Sequence, residues 1–146
     1  MLSIMQKKTV HILHIEDDEV DAMVMKRALK QTDLDFTYEH AKNGIEALDL
    51  LRGTNGQEKL STRPSVILLD LNMPQMNGHE FLQELRNDSD LKSISVYVMS
   101  TSSDDKDRLE AFGQNVAGYI VKPLTLESYV EAINTLNKFW QLTELP

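Results

Sequence analysis

The chain contains four short runs of nearly continuous apolar residues, and longer segments of mixed polarity separate them. The runs are Val10–Ile15, Val66–Leu69, residues 94–99 and residues 119–121. Strands that are covered on both faces have this continuous pattern, as in a parallel sheet. A fifth segment, Phe36–Ala41, alternates apolar and polar positions, which is typical of an edge strand. The pattern therefore predicts five strands.

Amphipathic helical patterns lie between and after the strands, because apolar residues three and four positions apart share one helix face. The predicted faces are Val20, Met23, Val24 and Ala28; Ala47, Leu48 and Leu51; Phe81, Leu82 and Leu85; and Leu126, Tyr129, Val130, Ile133 and Leu136. Strict alternation of strands and helices predicts an α/β fold with a doubly wound five-stranded parallel sheet. Right-handed crossovers then place helices on both faces.

Capping residues precede several of these helices. The expected N-caps are Asn43, Asn77, Ser103 and Thr125. A glutamate follows each of the two asparagines three residues later, which predicts a reciprocal capping box at both places. Residues 53–64 form the one long loop that the pattern predicts.

Length and charge limit the function classes. The 146 residues suit one domain. The net charge of −8 and the lack of a Lys/Arg cluster argue against nucleic acid as a partner. With no cysteine, thiolate chemistry is excluded. No apolar run approaches a bilayer span and the start lacks a secretory pattern, so we expect a cytoplasmic protein without membrane contact.

Polar residues that carry chemistry collect where the predicted strands end. They are Glu16, Asp17 and Asp18 after the first strand, Asp70 after the third, Ser100 at the end of the fourth, and Lys122 after the fifth. In open α/β sheets, sites lie at the carboxyl ends of strands. With strands in the order 2-1-3-4-5, these groups converge in one crevice.

The residue types favour phosphoryl transfer. Crowded carboxylates repel each other unless a hard cation lies between them, and Mg²⁺ prefers such oxygen ligands. Lys122 adds a second positive charge and Ser100 a hydroxyl donor. Positioning and charge neutralisation perform most of the catalysis in phosphoryl transfer, and a carboxylate can itself accept the group.

The chain resembles the receiver domain of two-component response regulators over residues 10–138. The motifs that carry the resemblance are Glu16-Asp17, Asp70-Leu71-Asn72-Met73-Pro74 with Met76-Asn77-Gly78, Ser100-Thr101-Ser102, and Gly118-Tyr119-Ile120-Val121-Lys122-Pro123. The resemblance implies a flavodoxin-like strand order, 2-1-3-4-5. It also implies a signalling protein rather than an enzyme, apart from phosphotransfer to itself and autodephosphorylation.

The resemblance assigns roles at the site. Asp70 is the expected phosphoacceptor, and Lys122 is expected to pair with the phosphoryl group. Glu16 and Asp17 are expected to bind Mg²⁺ together with Asp70 and the backbone carbonyl of Asn72. Three consecutive acids compete for two places, and a first Glu is less usual than Asp in this family. We assign Glu16-Asp17, since Ile15 then ends the strand and leaves the third acid to open the helix.

The resemblance also implies a switch. Ser100 is expected to move toward the phosphoryl group and Tyr119 to change rotamer with it. Pro123 is expected to follow a cis peptide bond, and Gly78 is expected to begin the third helix.

The output is expected to be a contact surface, because residues 8–140 form the receiver domain, residues 141–146 a tail, and no effector domain follows. Phe139 and Trp140 are the expected interface residues. The tail, the long loop and Ser100-Thr101-Ser102 resemble small response regulators of bacterial and cyanobacterial phytochromes. That likeness implies a phytochrome-type sensor histidine kinase as donor and a homodimer through the face of helix 4, strand 5 and helix 5. The alternative is that both rings fold back onto their own domain.

Other readings remain at this point. The chain could pass the phosphoryl group onward as an intermediate shuttle in a multistep phosphorelay. A flavodoxin-like electron carrier shares the strand order, but acids stand where its phosphate loop is needed. An aspartyl phosphatase needs a nucleophile after the first strand and a cap. The four histidines, His11, His14, His40 and His79, share no ligand spacing, so we expect structural roles for them.

Overall fold

Five strands and five helices alternate along the chain in the computed structural model, which describes residues 7–122 and 125–146. The elements are β1 Val10–Ile15, α1 Glu19–Lys30, β2 Phe36–Ala41, α2 Gly44–Arg52, β3 Val66–Leu69, α3 Gly78–Asn87, β4 Ser95–Ser100, α4 Asp105–Gly113, β5 Gly118–Val121 and α5 Leu126–Leu142. All strand pairs are parallel, in the order β2-β1-β3-β4-β5. The predicted fold and strand order are confirmed.

The core consists of two apolar clusters, one on each face of the sheet. Helices α2, α3 and α4 pack on one face, where Leu48, Phe81 and Leu82 contact side chains of the central strands. Helices α1 and α5 pack on the other face, with Met25 and Ile133 at the centre. Both faces are covered, which explains why β1, β3 and β4 are nearly continuous apolar sequences.

The edge strand β2 alternates half-buried and exposed residues up to Ala41, as its sequence predicts. Strand β4 begins at Ser95, one residue after the start of the apolar run, and ends at Ser100 as expected, while β5 begins one residue early, at Gly118. No helix within residues 7–122 and 125–146 combines the length and the hydropathy that crossing a bilayer requires.

Helix caps agree with the sequence at most positions. Asp18 caps α1 by accepting from the N–H groups of Val20 and Asp21. Thr125 caps α5, and Asn77 forms a complete capping box at α3. At α2 the Asn43 side chain accepts from the Glu46 N–H, without the reciprocal bond that the sequence predicts.

The prediction of Ser103 as the N-cap of the fourth helix is wrong. Asp104 is the cap, and its carboxylate accepts from the N–H of Lys106. Aspartate and serine are comparable caps, so the local sequence alone does not decide between neighbouring residues.

The predicted apolar face of the first helix is also wrong in part. Val20 and Met23 are 66% and 64% exposed, whereas Ala22, Met25 and Leu29 are buried. The helix carries two overlapping apolar stripes with the same helical period, and the one with Met25, Ala28 and Leu29 packs into the core cluster that α1 shares with α5.

Trp140 is not an exposed interface residue, contrary to the sequence expectation. Its side chain is fully buried, its ring packs edge-on against Tyr97, and its Nε1 donates to the Tyr97 hydroxyl at 3.2 Å. Trp140 lies seven residues after the buried Ile133, on the stripe of α5 that faces the sheet. Helix α5 continues to Leu142, past the boundary that the sequence predicts for the tail.

Gly78 begins α3, as expected, and its lack of a side chain is required there. A Cβ atom at this position would lie 2.7 Å from the carbonyl oxygen of Asp70 and 2.7 Å from Cα of Leu71. The Gly78 N–H also donates to the Leu71 carbonyl at 2.9 Å. The start of α3 is thereby fixed against the backbone that directly follows β3.

Candidate functional site

Three residues of the site continue the sheet ladder just beyond their strands. The N–H of Glu16 donates to the carbonyl of Ala41 at 3.0 Å, and the N–H of Asp70 donates to the carbonyl of Ile15 at 3.0 Å. The N–H of Lys122 donates to the Ser100 carbonyl at 2.7 Å. These bonds place the side chains side by side at the carboxyl edge of the sheet.

Three carboxylates meet at this edge. One ligand oxygen from each of Glu16, Asp17 and Asp70 lies within 4.8 Å of the others, with Glu16 and Asp70 buried and Asp17 exposed. Asp18 is instead occupied as the cap of α1. Of the three consecutive acids, the structure therefore brings Glu16 and Asp17 together with Asp70 and leaves Asp18 at the helix start.

The ammonium group of Lys122 joins this cluster from β5. Its Nζ lies 2.6 Å from Glu16 Oε1, 2.8 Å from Asp21 Oδ2 and 3.9 Å from Asp70 Oδ2. The contact with Asp21 was not expected from the sequence. The sequence does contain one signal for this contact: Asp21 is an acid in the first turn of α1, the helix that begins just after the acids at the end of β1. The predicted cis peptide before Pro123 lies outside the described residues.

Burial sets the protonation behaviour of the cluster. Loss of water raises the pKa of Glu16 and of Asp70, while the neighbouring Lys122 acts in the opposite direction on both. Burial alone would lower the pKa of Lys122, but hydrogen bonds to Asp21 and Glu16 raise it, so the lysine stays charged. A cluster with more carboxylates than ammonium groups favours an additional cation.

The donor set fits a hard divalent ion. All three side chains offer carboxylate oxygens, the ligands that Mg²⁺ and Mn²⁺ accept readily. Both oxygens of Glu16 are already engaged, one by Lys122 and one by the Asp18 N–H at 3.3 Å. Asn72, the expected carbonyl ligand, is exposed beside the cluster, and its N–H donates to Asp70 Oδ1 at 3.3 Å.

Ser100 and Tyr119 are connected through one residue. The Ser100 hydroxyl is fully buried and accepts from the Ser102 N–H at 3.1 Å. The Tyr119 hydroxyl donates to the Ser102 carbonyl at 2.8 Å. Ser102 thus lies between the two residues that the sequence assigns to a switch.

Ser102 is held in turn by a helix-to-helix contact. Its hydroxyl donates to Asp107 Oδ2 at 2.8 Å, and Asp107 Oδ1 lies 3.1 Å from Nε2 of His79 on α3. Hydrogen bonds from His79 and Ser102 lower the pKa of Asp107. His79 and Asp107 were not predicted as functional, because their contact joins two helices and leaves no local signal in the sequence.

A set of large apolar side chains is exposed on α4, β5 and α5. They are Leu109, Phe112, Val121, Phe139 and Leu142. Phe139 remains 54% exposed, so of the two expected interface residues only Phe139 is available to a partner. The other expected interface residue, Trp140, belongs to the core.

Comparison with known proteins gives matches over nearly the whole chain. The model of the response regulator receiver domain matches residues 12–134, a range that includes the acidic cluster, Ser100, Tyr119 and Lys122. The probable methanogenesis regulatory protein FilR2 of Methanothrix harundinacea is 33% identical over 129 residues, covering 88% of this chain and 82% of that protein. Response regulator Rcp1 of Synechocystis is 32% identical over 129 residues, covering 88% and 87%.

Solved structures also resemble this chain over nearly its whole length. The crystal structure of the Mn²⁺-bound form of Rcp1 is 31% identical, covers 94% of this chain and 99% of that chain, and has a TM-score of 0.82. The phosphorylated cyanobacterial phytochrome response regulator RcpA is 31% identical, covers 95% and 99%, and has a TM-score of 0.85.

Proposed function

Because the chain belongs to the response regulator receiver family, we propose that it accepts a phosphoryl group from a histidine kinase on the carboxylate of Asp70, with Mg²⁺ bound beside it. The observation that carries the proposal is the convergence of Glu16, Asp17, Asp70 and Lys122 at one edge of the sheet. Receiver domains are signalling proteins, and this cluster provides both the acceptor and the positive charge that a phosphoryl group needs.

The proposed metal site uses oxygen donors that follow two strand ends, those of β1 and β3. Asp17 and Asp70 would hold the ion directly, with the Asn72 carbonyl as a further ligand. Glu16 acts from behind, because its two oxygens already accept from Lys122 and from the Asp18 N–H. When bound, the ion supplies charge neutralisation for the phosphoryl oxygens. The Mn²⁺-bound form of Rcp1 supports a divalent ion in a relative of this chain.

The transfer step conserves charge and atoms. A carboxylate oxygen of Asp70 attacks the phosphorus atom of a phosphohistidine, the new O–P bond forms as the N–P bond breaks, and the histidine leaves as neutral imidazole with a proton from solvent. Lys122 turns from Glu16 and Asp21 to pair with the transferred group. This reorientation is short, because its Nζ already lies 3.9 Å from Asp70 Oδ2.

The proposed switch follows from the position of Ser102. The Ser100 hydroxyl turns toward the phosphoryl oxygens and gives up the Ser102 N–H. Ser102 then shifts together with its carbonyl, the acceptor for Tyr119. The surface of α4, β5 and α5 changes with them, since α4 begins directly after this loop.

We also propose how the signal leaves the domain. Residues 8–140 act as the receiver, and its α4–β5–α5 face is the contact surface for a second copy of the chain. The exposed apolar side chains on these three elements support this choice. Relay of the phosphoryl group to a further protein is the second candidate. RcpA is a phytochrome response regulator, which supports a phytochrome-type kinase as donor.

The experiment is phosphorylation of the full chain by acetyl phosphate with and without Mg²⁺, followed by mass spectrometry. We expect one Mg²⁺-dependent phosphoryl group in the wild type and none in Asp70→Asn. The matched control is Asp18→Asn, because asparagine caps a helix as well as aspartate does. Undiminished labelling of Asp70→Asn would exclude Asp70 as the acceptor, and loss of labelling in Asp18→Asn would favour the other register of the acids.

The donor class is tested separately by phosphotransfer. A purified phytochrome-type histidine kinase and a histidine kinase of another sensor class are each phosphorylated and mixed with the chain. Fast transfer from the first alone supports the proposed donor. Equal or faster transfer from the second would leave the acceptor assignment intact and remove the phytochrome assignment.

A further inference from the structure

His40 on the edge strand β2 contacts the backbone of the acidic turn. Its Nε2 atom lies 2.7 Å from the carbonyl oxygen of Glu16. A carbonyl oxygen can only accept, so Nε2 carries the hydrogen in this bond. The neighbouring N–H of Glu16 donates to Ala41. A side chain thus continues the pairing of β1 with β2 at the place where the backbone ladder ends.

The bond from His40 fixes a particular peptide group. The Glu16 carbonyl belongs to the peptide that joins Glu16 to Asp17, the two acids of the proposed metal site. On the other side of Asp17, the Asp18 N–H donates to the Glu16 side chain at 3.3 Å. Asp17 is exposed, whereas Glu16 is 1% exposed. The direction of the Asp17 side chain therefore depends on the backbone on either side of it.

We propose that His40 is a positioning residue for the divalent-metal site. Its hydrogen bond prevents rotation of the peptide between Glu16 and Asp17, and this holds Asp17 facing Asp70. The inference rests on the proposed function, because it requires the ion to bind at Asp17 and Asp70. In this proposal the hydrogen bond of His40 increases metal affinity, whereas a purely structural bond would only hold β1 and β2 together.

Removal of the His40 side chain is expected to weaken metal binding. Loss of the His40 ring leaves the Glu16 carbonyl without its donor at the end of β1, and the peptide gains freedom to turn. Groups behind metal ligands change metal affinity by about 10- to 100-fold when removed. Since His40 acts through the backbone, we expect the low end of that range, about 10-fold.

The chain offers a matched control at the other end of the same two strands. His11 on β1 is also half-buried, and its Nδ1 lies 2.8 Å from the Thr37 hydroxyl on β2. Both histidines connect β1 with β2 by one hydrogen bond, but His11 has no contact with the acidic turn. A purely structural role predicts the same behaviour for the two residues.

The test is calorimetric titration of the metal-free full chain with Mg²⁺ alone, accompanied by urea unfolding of each variant. We expect about 10-fold weaker Mg²⁺ binding in His40→Leu. Binding is restored in His40→Gln, whose amide N–H reaches as far as Nε2, and stays unchanged in His11→Leu. Wild-type affinity in His40→Leu, or equal weakening in His11→Leu, would overturn the inference.

Two further variants separate the possible failures. If His40→Leu does not fold, His40→Asn replaces it, because its shorter amide cannot reach the carbonyl. Weaker Mg²⁺ binding than in His40→Gln then supports the role, and equal binding contradicts it. Asp17→Asn is expected to lose Mg²⁺ binding, and wild-type affinity in this variant would refute the metal site itself rather than the role of His40.

Discussion

Lys122 Nζ lies 3.9 Å from Asp70 Oδ2, beyond a direct hydrogen bond, because Glu16 and Asp21 hold the ammonium at 2.6 Å and 2.8 Å. The lysine therefore balances the carboxylate charge and lies within reach of a phosphoryl group on Asp70, the proposed acceptor. A metal ion at the proposed site would compete with it for the same carboxylates.

Replacement of Lys122 by Met should separate these two effects. We expect acetyl phosphate labelling of Asp70 to slow by about 100-fold, since a preorganised charge at the reacting group is lost. Mg²⁺ affinity should rise, because a competing cation has been removed. Labelling kinetics and calorimetry measure the two quantities. Lys92→Met, at an exposed position, is the control, and a wild-type labelling rate in Lys122→Met would contradict the proposed role.

The buried His14 should make the stability depend on pH. Burial, with His40 and Lys122 nearby, lowers the pKa of His14 from 6.5 to about 3. Between these values the unfolded chain binds more protons at this residue than the folded chain does. The free energy of unfolding therefore rises with pH across this window, by at most about 1.4 kcal/mol per pH unit. The contribution of His14 to stability is lost as the pH falls through the window.

Urea unfolding at several pH values within this window checks the effect by comparing the wild type with His14→Leu. The difference in slope between the two proteins isolates the histidine from the titrating carboxylates. Parallel pH profiles would show that His14 is not held neutral in the folded state.

Adjacent residues of α5 should respond in opposite ways to truncation. Trp140→Ala should lower the free energy of unfolding by about 3–5 kcal/mol, because it removes a fully buried ring and its bond to Tyr97. Phe139→Ala should change stability by less than about 0.5 kcal/mol, since this ring is half exposed.

Self-association should depend on the exposed Phe139, which contributes little to stability. Light scattering at increasing protein concentration, with and without acetyl phosphate, should show a dimer in the wild type and a weaker dimer in Phe139→Ala. A wild type that remains monomeric in both conditions would remove the dimer proposal and leave the phosphoacceptor proposal untouched.

Arg86 should be the most costly charged residue to remove away from the site. Its guanidinium donates to four carbonyl oxygens, those of Lys92, Ile94, Gln114 and Asn115, and so ties the end of α3 to two loops. Arg86→Met leaves these acceptors without a donor, and we expect a loss of about 3 kcal/mol in urea unfolding.

The exposed ion pair of Arg52 with Asp88 provides the comparison for Arg86. Such pairs contribute at most about 1 kcal/mol, so Arg52→Met should be nearly neutral. If both arginine variants lose the same stability, the carbonyl contacts of Arg86 are not the reason for its effect.

The fold and the main site could be predicted because they depend on local pattern and on a rule of sheet topology. Continuous apolar runs identified β1 and β3, and the carboxyl ends of parallel strands share one edge. Asp70, Glu16 and Lys122 followed from this rule without any knowledge of side-chain contacts. In the structure these three side chains do lie together at one edge of the sheet.

The contacts that could not be predicted depend on the exact rotation of helices. Whether Val20 or Ala22 faces the sheet depends on the rotation of α1 about its axis, and both stripes fit the apolar period. The same holds for Trp140, which the sequence places at the end of a helix without showing its side. The bond from His40 to the Glu16 backbone joins residues 24 positions apart and has no local signal.

The position of β1 between β2 and β3 has a consequence for hydrogen exchange. Glu16, Asp17 and Asp70 follow β1 and β3, two of the three strands that are paired on both sides and whose amides should open last. Lys122 follows β5, an edge strand with a single partner, and its amides should exchange sooner. The proposed metal and phosphoryl sites therefore lie on slowly exchanging strands, while β5, part of the proposed contact surface, can open without disturbing Asp70.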